Sequence, residues 1–143
     1  LTQPHLDGPV RAMQSALKDA GLEPAVVDYI NAHGTGTPTN DAMECRAIRA
    51  VFDRGADRIA VSSTKGVHGH TLGAAGALEA IATALAIKNE TIPPTANFTV
   101  RDPECDLDIV PNTASSQPIR AALSNSFAFG GLNAVLAFSR HDA

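Results

Sequence analysis

Apolar positions recur along this chain with two different periods. In residues 7–21, DGPVRAMQSALKDAG, Val10, Met13, Ala16 and Leu17 fall at helical intervals and Gly21 closes the segment. AVVDYINA, 25–32, is a short β-prone run and predicts a strand. HGTGTPTN, 33–40, is turn chemistry. Helical spacing returns over 40–55, with Met43, Ala47 and Val51 as the apolar stripe, Asn40 or Thr39 as cap and Gly55 as stop. RIAVSST, 58–64, predicts a second strand, KGVHGH, 65–70, a turn, and 72–89 an Ala-rich helix. A loop with Pro punctuation covers 91–106. LDIVPN, AALSNSFAF and AVLAFSRH predict three further strands, the last two joined by GGLN. There is no internal repeat.

The order α-β-α-β-α followed by consecutive strands predicts an α/β layered fold, its mixed sheet ending in a β-meander. The helix over 72–89 is apolar on all sides, which places it between two layers. One sheet cannot enclose such a helix, so the chain is expected to pack against a further body. Glu79 interrupts this helix. Burying an isolated carboxylate costs several kcal/mol. Glu79 therefore lies either on an exposed strip or against a partner, and Lys65 is the nearest candidate.

Composition narrows the class. A chain of 143 residues is one domain or part of one, and few aromatics mean a core of Ala, Val, Leu and Ile. A net charge of −4 without blocks of like charge argues against nucleic acid as a partner. Cys45 and Cys105 form no CxxC pattern, which fits a reducing compartment and gives no zinc signature. The N-terminal residues lack the regions of a signal peptide, and the longest apolar run falls short of the ~20 residues a membrane helix needs. A soluble, cytoplasmic protein without a membrane partner is expected.

Candidate chemistry lies in the turns. HGTGT ends a predicted strand, where ligands of open α/β sheets collect; Gly34 and Gly36 allow close backbone approach, and Thr35 and Thr37 offer hydroxyls. His70 immediately precedes the Ala-rich helix. A helix N-terminus carries roughly half a positive charge. It favours a neutral imidazole, which can donate a hydrogen bond to developing negative charge. A structural histidine bonded to a loop carbonyl is the alternative. His33, His68 and His70 are a weak metal set, with no third ligand at helical spacing and no HExxH. GTGTPT lacks the third glycine of a dinucleotide loop, since Thr39 stands there. SFAFGGLN, 126–133, reads as a ligand loop or as a hairpin with buried rings.

Taken in order, AHGTGTPTND with His33, STKGVHGH with Lys65 and His70, GAAGALEA, and NSFAFGGLN resemble the C-terminal half of an elongating β-ketoacyl-acyl carrier protein synthase, over residues 1–140. The resemblance implies that 1–143 is a C-terminal ketosynthase domain with a thiolase-like fold. Helices would lie on both faces of a mixed sheet, as half of a five-layered αβαβα architecture. It implies decarboxylative Claisen condensation in fatty acid or polyketide synthesis. By motif position, His33 and His70 would donate to the malonyl thioester oxygen, and Lys65, held by Glu79, would orient the network. Asp41 and Glu44 would support that lysine network, and Thr35 and Thr37 would bond the pantetheine arm. Phe129 would gate the nucleophile on a loop with Ala128, Gly130 and Gly131, its N–H joining an oxyanion hole. No metal or organic cofactor is implied; 4'-phosphopantetheine arrives on the acyl carrier protein. Implied partners are the N-terminal half of the same synthase, the acyl carrier protein and a second copy of the subunit.

The chain departs from the family pattern in three ways. The nucleophilic cysteine is missing, since Cys45 falls inside a predicted helix and Cys105 in a Pro-flanked loop. The family's first strand of this half is expected before Leu1. The chain thus resembles a truncated synthase, inactive by itself. Ala128 and Leu132 stand where glycine and threonine are usual; if position 128 needs positive φ, alanine costs about 1–2 kcal/mol there. A non-condensing chain-length partner of a heterodimer is the competing reading, against which the retained histidines and lysine weigh.

Overall fold

The computed structural model describes residues 5–141. In chain order its elements are α1 (Asp7–Asp19), β1 (Val27–Asn31), α2 (Pro38–Phe52), β2 (Ala60–Ser62), α3 (Lys65–His68), α4 (Ala75–Asn89), β3 (Thr91–Ile92), β4 (Asp108–Ile109), β5 (Ser115–Ser116), β6 (Ala121–Phe127) and β7 (Asn133–Ser139). The main sheet has the order β4-β2-β1-β6-β7. Its first four strands run parallel, and β7 returns antiparallel to β6, with Ala121 opposite Ser139 and Phe127 opposite Asn133.

The sheet is mixed, as expected, but the meander is not formed. β4 crosses to the far edge beside β2, and β5 leaves the sheet to pair with β3. Among the described residues, only β6 and β7 make a hairpin. A parallel neighbour requires a long crossover rather than a tight turn, and the segment 63–107, with α3, α4 and β3, provides it.

Helices cover both faces. On one face Met13 and Leu17 of α1 and Met43 and Ile48 of α2 pack on Ile30, Leu123 and Phe127. On the other, Ala86 and Ile87 of α4 pack with Tyr29, Ala60 and Ala122. β1 and β6 are buried on both sides, so their residues are almost continuously buried rather than alternating.

Several boundaries differ from the sequence expectation. Thr37 caps α2, its hydroxyl accepting from the Asn40 amide at 3.4 Å with Pro38 in the first turn; neither Asn40 nor Thr39 is the cap. Asp53, at φ 47°, ends that helix ahead of Gly55, and a 3-10 segment follows over Asp53–Arg58. KGVHGH is not merely a turn, since Lys65–His68 is one helical turn. The Ala-rich helix is preceded by a separate 3-10 turn, Leu72–Ala74.

α4 is built inside out. Its sheet-facing positions are Ala75, Glu79, Thr83, Ala86 and Ile87, mostly small or polar. Gly76 lets it sit close to β6, since a Cβ there would be 3.3 Å from Ser126 Oγ. Leu78, Ile81 and Leu85 point away, at 40%, 58% and 50% exposure. The second layer expected over this helix is therefore not supplied by the described residues.

Candidate active site

The carboxyl ends of three adjacent parallel strands converge on one edge of the sheet. β1 leads into His33, β2 into Lys65 and then His70, and β6 into the Phe127–Gly131 turn. Apolar residues anchor each strand up to that edge, and turn residues take over beyond it.

The two predicted histidines meet there. The rings of His33 and His70 lie edge to face, with centroids 5.5 Å apart and planes at 84°. Phe127 flanks His33 with ring centroids 5.8 Å apart. His33 is buried, and its pKa is lowered to about 4, first by burial and then by the charges of Lys65 and His70. His70 is exposed. Its expected position against a helix N-terminus is corrected: the 3-10 turn separates it from α4. Local backbone orients it instead, as Leu72 N–H donates to Nδ1 at 3.2 Å. That bond leaves the proton of a neutral ring on Nε2.

Glu79 is wholly buried and forms an ion pair with the buried Lys65. This settles the alternatives left by the sequence, because Glu79 is not on an exposed strip. Asn31 Nδ2 ties β1 to α4 through the Glu79 carbonyl at 3.4 Å and Thr83 Oγ1 at 3.3 Å. His68 bonds Thr64 Oγ1 at 3.0 Å and the Gly69 carbonyl at 2.8 Å. Among the described residues no group of three or more acidic, histidine or cysteine side chains could hold a metal ion.

Glu44 and Asp41 do not join the lysine network as expected. Glu44 accepts from the amides of His33 and Gly34, each at 2.9 Å, from Asn125 Nδ2 at 3.0 Å and from Asn40 Nδ2 at 3.4 Å. Burial pushes its pKa up, and these four donors oppose the rise. Its effect is to hold the His33 loop against α2 and β6. Asp41 accepts from Asn40 Nδ2 at 3.0 Å. The loop needs glycine at 34, where φ is 39° and a Cβ would lie 2.5 Å from Ser63 Cβ. Thr35 and Thr37 share a hydrogen bond of 2.9 Å beside His33.

Phe127 of SFAFGGLN is buried, whereas Phe129 is 82% exposed, so only one of the two expected buried rings is inside. Ala128 is extended, at φ −132°, and carries no strain there. The positive angles fall on Gly130 and Gly131, at 79° and 81°. Cys45 is buried within α2, and burial pushes its thiol far up. Cys105 is partly exposed and is also pushed up by burial.

Sequence reasoning missed Asn31, Asn125 and Phe127. The signal was an asparagine inside each of two β-prone runs, DYIN and LSNSF, where a buried amide needs partners. Three buried atoms at this centre, His33 Nδ1, Glu79 Oε2 and Asn125 Oδ1, have no hydrogen-bond partner among the described residues.

Comparison with known proteins identifies the family of the chain. The family described as beta-ketoacyl synthase, C-terminal domain, matches residues 1–99. Over 138 residues, 96% of this chain, it is 55% identical to nodulation protein E of Rhizobium sp. (strain N33). Over 140 residues, 98% of the chain, it is 52% identical to 3-oxoacyl-[acyl-carrier-protein] synthase 2 of Staphylococcus aureus (strain COL). It spans 34% of the length of each of these relatives. Among solved structures, the fold superposes with a TM-score of 0.94 and 40% identity on a ketosynthase solved with the acyl-carrier protein of a type II polyketide synthase and bound to the hexaketide. That match covers 99% of this chain and 35% of the other. The fold is the α/β, thiolase-like fold of ketosynthases. The chain belongs to the β-ketoacyl synthase family, as its C-terminal domain.

Proposed function

We propose that this chain is the decarboxylating side of a ketosynthase active site, acting in fatty acid or polyketide synthesis. The observation that carries this reading is the meeting of His33 and His70 beside the buried Lys65–Glu79 pair. The substrate is a malonyl thioester on the phosphopantetheine arm of an acyl carrier protein. The bond between its C2 and the carboxylate breaks, carbon dioxide leaves, and the electron pair passes through C2 to the thioester oxygen. C2 of the enolate then attacks the acyl thioester carbon, and the cysteine thiolate leaves.

The hard step creates negative charge on one oxygen. Two fixed N–H donors aimed at that oxygen lower the barrier, because they need no reorientation as charge develops. A neutral imidazole suits this task, as it donates without giving up its proton. His33 meets the requirement through burial and the neighbouring lysine charge, and the Leu72 amide on Nδ1 orients the His70 ring so that a neutral ring carries its proton on Nε2. Lys65, held in its ion pair by Glu79, acts as a positioning charge. Thr35 and Thr37 bond the pantetheine amides, and the exposed Phe129 on its glycine turn gates the acyl group.

Neither cysteine here suits the nucleophile, since burial raises both thiols and Cys45 is enclosed in a helix. The acyl-carrying cysteine therefore comes from the N-terminal half of the synthase, and the chain by itself does not condense. That half covers the exposed Leu78, Ile81 and Leu85 of α4, which completes the five layers; a second subunit completes the dimer. A non-condensing chain-length role is less well supported, since it has no use for two oriented imidazoles beside a buried lysine.

The test is condensation and malonyl decarboxylation in the intact synthase carrying His33→Ala or His70→Ala. Each loss is expected to lower turnover about 10²–10³-fold, with the far-UV spectrum unchanged. Wild-type turnover in either variant overturns the assignment.

A further inference from the structure

The two histidines leave the sheet from neighbouring strands, and the sheet ties their segments together only part of the way. β1 and β2 pair as far as Asn31 and Ser62. Among the described residues, the last backbone bond between the two segments runs from the Ala32 amide to the Ser62 carbonyl, at 2.8 Å. His33 follows at once. On the α2 side its loop borders a cavity of about 430 Å³ that Ala32, Gly34 and Gly36 help to line. Empty space supplies no contacts, so packing does not fix the loop from that side. Side-chain hydrogen bonds do, and those of Glu44 hold it to α2.

Ser63 supplies the bond in the other direction, towards the second histidine. Its hydroxyl donates to the Gly34 carbonyl at 2.7 Å. The two residues are close at this point, since a Cβ on Gly34 would lie 2.8 Å from the Ser63 oxygen. Ser63 is buried, and its own backbone is pinned: its amide donates to Thr95 Oγ1 at 3.0 Å. Thr95 is held in turn, its amide donating to the Val110 carbonyl at 2.8 Å and its carbonyl accepting from the Asn112 amide at 3.0 Å. Ser63 is thus a fixed post beside a glycine loop. It stands in the same segment as Lys65 and His70, separated from Lys65 by Thr64 alone.

We propose that Ser63 is a positioning residue, whose bond to the Gly34 carbonyl sets the spacing and angle of the His33 imidazole against that of His70. It acts through Gly34, the residue after His33, and is not a donor to the substrate. Glu44 fixes the loop against α2, whereas Ser63 fixes it against the segment that carries the other ring. Without the hydroxyl, the Gly34 carbonyl has a cavity beside it and the loop is free to swing that way. The two N–H donors then no longer converge on one oxygen. This kinetic consequence rests on the reaction proposed above; the placement of the rings does not. A misplacement of about 1 Å at a reacting centre costs up to about 10²-fold in rate.

The experiment uses the intact synthase with Ser63→Ala, made in the wild-type and His33→Ala backgrounds. The substitution deletes one oxygen and adds no bulk, so the far-UV spectrum is expected to match wild type. Malonyl decarboxylation is expected to lose about 10–10²-fold in kcat, with KM for the malonyl thioester and acylation of the nucleophile unchanged. In His33→Ala the same substitution is expected to change kcat by less than about twofold, because the ring it places is gone. With labelled histidines, the NMR cross-peak between the His33 and His70 rings is expected in wild type and lost in Ser63→Ala. The proposal is overturned where that cross-peak survives the substitution, or where the loss of kcat is as large in the His33→Ala background. Wild-type turnover in His33→Ala alone overturns the proposed function instead, and the cross-peak then still decides the role of Ser63.

Discussion

His33 and His70 reach one spot from opposite surroundings, one buried and one exposed. The consequence for His33 has a definite sign. An unfolded histidine takes its proton near pH 6.5, the folded one near pH 4, so the unfolded chain binds more protons between these values. The stability associated with the neutral ring is complete above about pH 6.5 and is lost as pH falls through about 4. Ring-proton NMR should show no titration of His33 between pH 8 and about 5. The buried ion pair gives a second expectation. Lys65→Met leaves Glu79 buried without its cation, which costs about 3–5 kcal/mol, and Lys65→Met with Glu79→Leu recovers most of that loss. Chemical denaturation of the two variants checks it. Glu79 also illustrates what the chain discloses locally. Its position in an apolar helix, near a lysine, was legible as a pair or an exposed strip, and only the packing of α4 on β1 decides between them. Glu44 was not legible in that way: its partner Asn125 is 81 residues distant, and they meet because β6 lies beside β1.

At the scale of elements, the helices and long strands followed from periodicity, and the failures sit where tertiary contacts fix the backbone. LDIVPN has strand composition, yet only Asp108–Ile109 of it joins β2, which offers three residues of edge, while Pro111 turns to bridge Thr95. β5 pairs with β3 through two residues, a partnership no local pattern encodes. The hairpin after β6 yields a direct expectation. Gly131→Ala forces a Cβ into φ 81° and is expected to cost about 1–2 kcal/mol. Ala128→Gly relieves nothing, since that residue is already extended. Thermal unfolding of the two variants should separate them, and the departure from the family's glycine at 128 is then conformationally silent.

For the whole molecule, Asp28 and Arg120 join the starts of β1 and β6. The guanidinium bonds the Asp28 carboxylate at 2.6 Å through NH2 and at 3.0 Å through Nε, and the Arg120 amide bonds it at 2.7 Å. Burial alone would raise this carboxyl, but the hydrogen bonds and charge of Arg120 outweigh it and hold it below its ordinary value. A carboxyl lowered on folding stabilises above its unfolded pKa, and the contribution disappears as pH falls through the folded one. Asp28→Asn should therefore destabilise the protein most above about pH 5. The gap to wild type should close towards acid, as followed by urea midpoints across pH.

The inverted polarity of α4 also bears on which changes this helix can accumulate over generations. Ala75, Glu79, Thr83 and Ala86 answer to a sheet encoded in the same stretch of chain, so replacements there are compensated, if at all, by nearby strands. Leu78, Ile81 and Leu85 answer to whatever surface comes to rest on them, and their replacements must be matched on that other surface. One helix therefore carries two separate records of co-variation, interleaved turn by turn.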